Sequence, residues 1–138
     1  MSVLFSKPCE YALQAVAYLA LKPRGEMTSA KELTAQLHIP YHFISKILQD
    51  LTNKKLLYSH TGPTGGFALA RSPKDILFIE IVEAIDGKDY KTQCVMGFPE
   101  CGGKKVCAVH DKWVVIKENI HDMLVSKNVF EMVNDAKT

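Results

Sequence analysis

The 138-residue sequence has no stretch approaching the roughly eighteen consecutive apolar residues that a membrane span requires. It has no internal repeat and no low-complexity segment, which excludes solenoid architectures and disordered tails as its main content. Paired catalytic carboxylates, a nucleophile beside a base, and a phosphate-binding glycine motif opening a helix are all missing, so the chain does not read as an enzyme and no small-molecule substrate is expected. The opening "MSVLFSKPCEYALQAVAYLALKP" begins like a signal peptide, but Glu10 breaks the apolar run and no small-residue cleavage site follows. A cytoplasmic protein is the expectation. Charge of one sign is not in excess: 17 Lys and Arg against 15 Asp and Glu leave +2. That balance admits nucleic-acid binding only through a local basic face. Cysteine is scarce, with four in all, and none is arranged in the C-x₂-C pairs of structural zinc sites.

What is present is apolar patterning. At 47% hydrophobic residues, a chain of this length buries one real core. Residues 8 to 21 carry Tyr11, Leu13, Val16, Tyr18 and Leu19 among alanines, with Lys22, Pro23 and Gly25 ending the run. This predicts a helix buried on most of its surface. Ser29, three residues ahead of Glu32, predicts a capping box, and Leu33 and Leu37 form the short stripe behind it. Pro40 is expected in the first turn of the next helix, where its missing N–H costs nothing. That helix, about Tyr41 to Lys54, gathers Ile44, Ile47, Leu48 and Leu51 on one side. His42, Ser45, Lys46, Gln49 and Asn53 gather on the other, with Asp50 at the edge. Alone, such a polar face is what any solvated helix shows.

Its neighbours give the face more meaning. Two helices separated by a few residues form a helix-turn-helix pattern. The strand-like segments Leu57 to His60 and Phe67 to Ala70 then flank Gly62-Pro63-Thr64-Gly65-Gly66, a hairpin signal. Together they predict a winged helix, mainly α with a small β wing. From Ser72, "SPKDILFIEIVEAIDG" reads as a further apolar helix closing at Asp86-Gly87. The expected organisation is a winged helix-turn-helix domain over 1–87, a cysteine-rich loop over 88–110, and a dimerisation helix with a C-terminal tail over 111–138. In the long helix, Trp113, Ile116, Ile120, Met123 and Leu124 share one stripe, expected to pack against a second copy in a homodimer. "NVFEMVND" predicts a final short helix.

Three of the four cysteines fall within 94–107: Cys94, Cys101 and Cys107, with six and then five intervening residues, and His110 three after the last. Thiolates and an imidazole on a glycine-bearing loop suit a soft metal centre. Zinc and a direct thiol switch stay open, whereas a lasting disulfide is disfavoured in a reducing compartment. Cys9 reads as a small buried hydrophobe, and His38 and His121 as surface residues.

Taken together, "EYALQAVAYLA", "GPTGGFALAR", "IVEAIDG" and the three spaced cysteines ending in "CAVH" ahead of Trp113 resemble, over almost the full length, the Rrf-two family of bacterial winged-helix transcription regulators. The resemblance implies a homodimer on a palindromic double-stranded DNA operator, with the second helix in the major groove and the wing in the minor groove. His42, Phe43, Ser45, Lys46 and Gln49 would be the readers, and His60, Thr61, Thr64 and Gly65 the wing contacts. Thr61 stands where many cluster-binding members carry an arginine, which removes one determinant of minor-groove preference. The resemblance also implies an iron–sulfur cluster on Cys94, Cys101 and Cys107. One branch of the family adds the histidine matched by His110, with a two-iron two-sulfur cluster, the expectation favoured here. Another adds a carboxylate of the first helix, matched by Glu10, with a four-iron four-sulfur cluster. The first cysteine spacing is one residue longer than the usual pattern. A regulator using the cysteines as a thiol switch or zinc site is the alternative within DNA binding, and a small iron–sulfur electron carrier the alternative outside it.

Overall fold

The computed structural model describes residues 5–88 and 109–135. The expected ligands Cys94, Cys101 and Cys107 lie outside the described residues. Helix α1, Lys7–Ala20, starts behind Ser6, whose hydroxyl accepts from the Cys9 N–H at 3.1 Å, an N-cap bond that satisfies one free donor of the first turn. Its buried residues are Cys9, Ala12, Ala15, Val16 and Leu19. Tyr11, Leu13 and Tyr18 pack against the core from its margin, because the alanines, not the bulky residues, allow close approach to neighbouring helices.

Helix α2, Ala30–Leu37, is capped by Ser29, whose Oγ accepts from the Glu32 N–H at 3.0 Å. The capping box is only half formed. The Glu32 carboxylate turns outward and accepts from the Tyr18 hydroxyl at 2.5 Å and from Lys22 at 2.8 Å, so it joins α2 to α1 instead of returning to Ser29. His38, at φ 56, ends α2 in the left-handed region. Pro40 sits one position earlier than expected, as the N-cap of α3, Tyr41–Asn53, where its carbonyl accepts from Phe43 and Ile44. Ile44, Ile47, Leu48 and Leu51 are buried, as the helical period predicted.

Strands β1, Leu57–His60, and β2, Gly66–Leu69, pair antiparallel with Leu57 opposite Leu69 and His60 opposite Gly66. Thr28 adds a short third edge by bridging to Phe67. The turn is tight: a Cβ at Gly65 would lie 2.1 Å from the His60 carbonyl oxygen, and one at Gly66 only 2.5 Å from that of Thr28.

The helix expected from Ser72 begins later. Pro73–Asp75 is a 3-10 turn, Ile76 is extended, and α4 runs Phe78–Asp86. The delay has a long-range cause. The Ile76 carbonyl accepts from the Val129 N–H, and the Phe78 N–H donates to the Lys127 carbonyl, both at or below 2.9 Å. The backbone at 76–78 is thereby used in an antiparallel bridge before α4 can start. Helix α5, His110–Ser126, lies on α4, and α6, Val129–Asp135, returns against α1. One cluster of buried side chains joins α1, α2, α3, the wing and Val129. A second joins Cys9, Ile79, Val82 and Leu124.

Candidate nucleic-acid interface and metal donors

The amphipathic α3 presents its polar face away from the core. His42, Ser45, Lys46 and Gln49 are exposed, while Lys46 holds Asp50 at 3.0 Å one turn on. That pair neutralises the one carboxylate near the face and leaves Lys46 on the surface, where such a pair is easily exchanged for a phosphate or base edge. Phe43 points sideways rather than outward. It is half-buried, meets the Tyr11 ring edge-on at 5.3 Å, and lies 4.5 Å from the His42 ring. Tyr41 was missed by the facial reading, which sorted residues by polarity. It is 61% exposed and opens α3 beside His42, a hydroxyl-bearing aromatic at the edge of the same face. The wing carries His60, Thr61 and Thr64 exposed and Gly65 half-buried at its turn.

The wing is held from both sides. Arg24 donates to the carbonyls of Leu69 and Arg71, each at 3.0 Å, where β2 leaves the sheet. Arg71 pairs with Glu80 at 2.8 Å, and the other oxygen of Glu80 accepts from the Leu77 N–H that opens α4. Elsewhere the Lys22–Glu32 pair raises the lysine and lowers the carboxylate, and Tyr18 is raised by donating to the same carboxylate. These groups lie at the surface, so the network orients α2 against α1 without adding much stability.

Of the proposed metal donors, two are described. His110 is the first residue of α5 and half-buried. Glu10 lies in the first turn of α1, half-buried, 3.4 Å from Lys7. The described residues contain no group of three or more His, Cys, Asp or Glu able to hold a metal by themselves. Three thiols with an imidazole or one carboxylate form a donor set suited to iron–sulfur chemistry. Cys9 is fully buried, as expected of a small hydrophobe, and burial, followed by the nearby Asp86, pushes its thiol up to about 12.

The expected dimer stripe divides in two. Leu124 is corrected: it is fully buried against Cys9 and Val82 of its own chain, with Ile120 beside it, because α5 lies on α4 rather than standing clear. Ile116 and Met123 remain 48% and 44% exposed, with Val115 at 56% one position from Ile116. Trp113 is half-buried, and so is His121, which was expected at the surface.

A helix-turn-helix whose second helix turns a polar face to solvent, followed by a two-stranded wing, defines the winged-helix DNA-binding regulators. The Rrf2 family model, described as an iron-dependent transcriptional regulator, matches residues 5–135, and the chain belongs to this Rrf-two family. A protein of Aquifex aeolicus bearing the name of an HTH-type transcriptional regulator is 33% identical over 135 residues, covering 96% of this chain and 92% of that one. The IscR regulator of Photorhabdus laumondii is 26% identical over 127 residues, 92% of this chain and 77% of its own. Among solved structures, CymR, the global cysteine regulator of B. subtilis, superposes with a TM-score of 0.77 at 23% identity, covering 94% and 95% of the two chains. These relatives are transcriptional regulators, not enzymes. No helix among the described residues is long and apolar enough to cross a membrane.

Proposed function

We propose that the chain is a homodimeric regulator whose operator affinity is set by an iron–sulfur cluster held in residues 88–110. Residues 1–87 bind DNA and residues 111–138 serve the dimer. The observation that carries the DNA half is the exposed face of α3, with His42, Ser45, Lys46 and Gln49 opposite the buried Ile44, Ile47, Leu48 and Leu51. Lys46 donates to guanine or phosphate, His42, Ser45 and Gln49 donate or accept at base edges, and Phe43 fixes the angle of the helix against α1. His60, Thr61, Thr64 and the Gly65 backbone follow the minor groove. Ile116 and Met123, with Trp113 and Ile120 behind them, meet the second copy.

Cys94, Cys101 and Cys107 hold the cluster, with His110 or Glu10 as the fourth donor. When bound, the cluster supplies a centre sensitive to oxidation, nitric oxide or the supply of clusters. The chain's own part is to change the order of 88–110 with cluster state, and so to shift α5 against the DNA-binding elements. Spectra of anaerobically prepared wild type beside His110→Ala and Glu10→Ala test this. The native visible absorption should be lost in one variant and kept in the other. A wild type that is colourless and iron-free yet binds DNA would sink the cluster and favour the thiol-switch reading.

A further inference from the structure

Helix α4 ends at Asp86, immediately ahead of the cysteine-bearing part of the chain. The Asp86 carboxylate reaches back across eighty residues to the start of α1. One oxygen accepts from the Ser6 N–H at 2.9 Å, the other from the Ser6 hydroxyl. The Cys9 N–H donates to Ser6 Oγ at 3.1 Å, so the cap of α1 and the carboxylate share Ser6. An anion therefore sits at the positive end of the α1 dipole, supplied not by α1 itself but by the last turn of α4. The rings of Phe5 and Phe78, 6.3 Å apart, join the residue before Ser6 to the other end of α4.

One turn further along α1, Tyr11 meets Phe43 edge-on, and Phe43 lies against His42 at the DNA-facing start of α3. The amides of Phe43 and Ile44 both donate to the Pro40 carbonyl. Asp86 thus holds Ser6 at the cap of α1, the Ser6 carbonyl accepts from the Glu10 N–H in the first turn of that helix, and the helix itself carries Tyr11 onto Phe43 at the start of α3.

We propose that Asp86 is a positioning residue that carries the state of the cysteine segment to α3, by fixing the first turn of α1 through Ser6. The assignment of that segment as the sensor rests on the function proposed above. Directional hydrogen bonds make this junction a coupling rather than a sliding contact. A shift in the last turn of α4 breaks them or takes α1 with it, whereas apolar packing alone would absorb it. Series of contacts do not establish coupling by themselves, so the test measures coupling directly.

The full chain is prepared as wild type, Ser6→Ala, Asp86→Ala and Ser6→Thr. Amide hydrogen exchange is followed at Phe43 and Ile44, with Leu33 of α2, which donates to Ser29, as control. Operator affinity is measured on a duplex selected by the wild type from a random-sequence pool, with iron-loaded anaerobic protein and with iron-stripped protein. Ser6→Ala and Asp86→Ala should speed exchange at Phe43 and Ile44 by about tenfold and leave Leu33 unchanged, as expected for a local rather than global opening. The same variants should narrow the affinity gap between loaded and stripped protein by at least about threefold, a loss of coupling free energy. Ser6→Thr, which keeps the hydroxyl, should behave as wild type in both measurements. Unchanged exchange at Phe43 and Ile44, an equal rise at Leu33, or an undiminished affinity gap overturns the proposal. If wild type binds the duplex equally in both states while Phe43 and Ile44 still respond, the cluster reading fails and the link from Asp86 to α3 stands.

Discussion

Thr28 and Phe67 exchange both of their backbone hydrogen bonds, at 2.9 and 2.8 Å, so the wing is anchored to the residue preceding the cap of α2. The hairpin is therefore not a free flap. Its base shares backbone with the helix-turn-helix, and two strands alone would be marginal in water.

Gly66 makes that exchange possible. Its φ is +145°, and an added Cβ would press on the Thr28 carbonyl carbon and oxygen. Gly66→Ala should cost on the order of 1–3 kcal/mol. Thermal unfolding reads the loss, and a melting temperature equal to wild type would show that the bridge is dispensable.

On α3, Lys46→Ala removes a surface cation and frees Asp50. If Lys46 meets a phosphate, affinity should fall on every DNA sequence alike, and the slope of log K against log salt should shrink by about one per contact. A loss confined to one sequence at constant slope would reassign Lys46 to a base edge. No change in either would remove it from the interface.

The two halves of the α5 stripe should behave oppositely. Leu124→Ala opens a cavity beside Cys9 and Val82 and should cost about 2–5 kcal/mol in unfolding. Ile116→Ala with Met123→Ala should barely change the stability of one subunit, yet weaken self-association in sedimentation. Unaltered sedimentation would move the dimer contact elsewhere.

Cys9 provides a pH test with a definite sign. Its thiol ionises near 9.0 in the unfolded chain and only near 12 when folded. Below 9 both states keep the proton. Between the two values the unfolded state releases it and the folded state does not, so stability falls as pH rises, by up to about 1.4 kcal/mol per pH unit from this one group. Denaturant titrations at pH 8, 9 and 10 should show a steeper decline for wild type than for Cys9→Ala. Equal slopes would mean that the buried thiol ionises freely. Alkylating reagents should likewise leave Cys9 untouched in the native chain, because the thiolate is the reactive form.

The parts of this fold that were readable in the sequence are those in which local chemistry decides. The inward and outward faces of α3 follow from the helical period, and the wing follows from glycines placed where no side chain fits. What escaped was set at a distance. Glu32 leaves its capping role because Tyr18 of α1 and Lys22 just beyond that helix offer better partners. The start of α4 is delayed by a bridge to Asn128 and its neighbours, some fifty residues on, and no local propensity reports that. The α5 stripe looked uniform because periodicity records which residues are apolar and not which neighbour covers each. His110 and the three cysteines stood out by chemical type, and Glu10 only through the family resemblance.

The bridge between 76–78 and 127–129 also bears on how the chain is made. Helix α1 is synthesised well before α6, yet it packs against it, and Val129 closes the same core as Val16 and Leu33. A nascent chain that has released α1, α2, α3 and the wing still lacks the lid of its own interior. The DNA-binding elements therefore cannot reach their final stability until α6 has left the ribosome, and a message truncated before residue 127 should yield a product that proteases remove rather than a shortened repressor or activator.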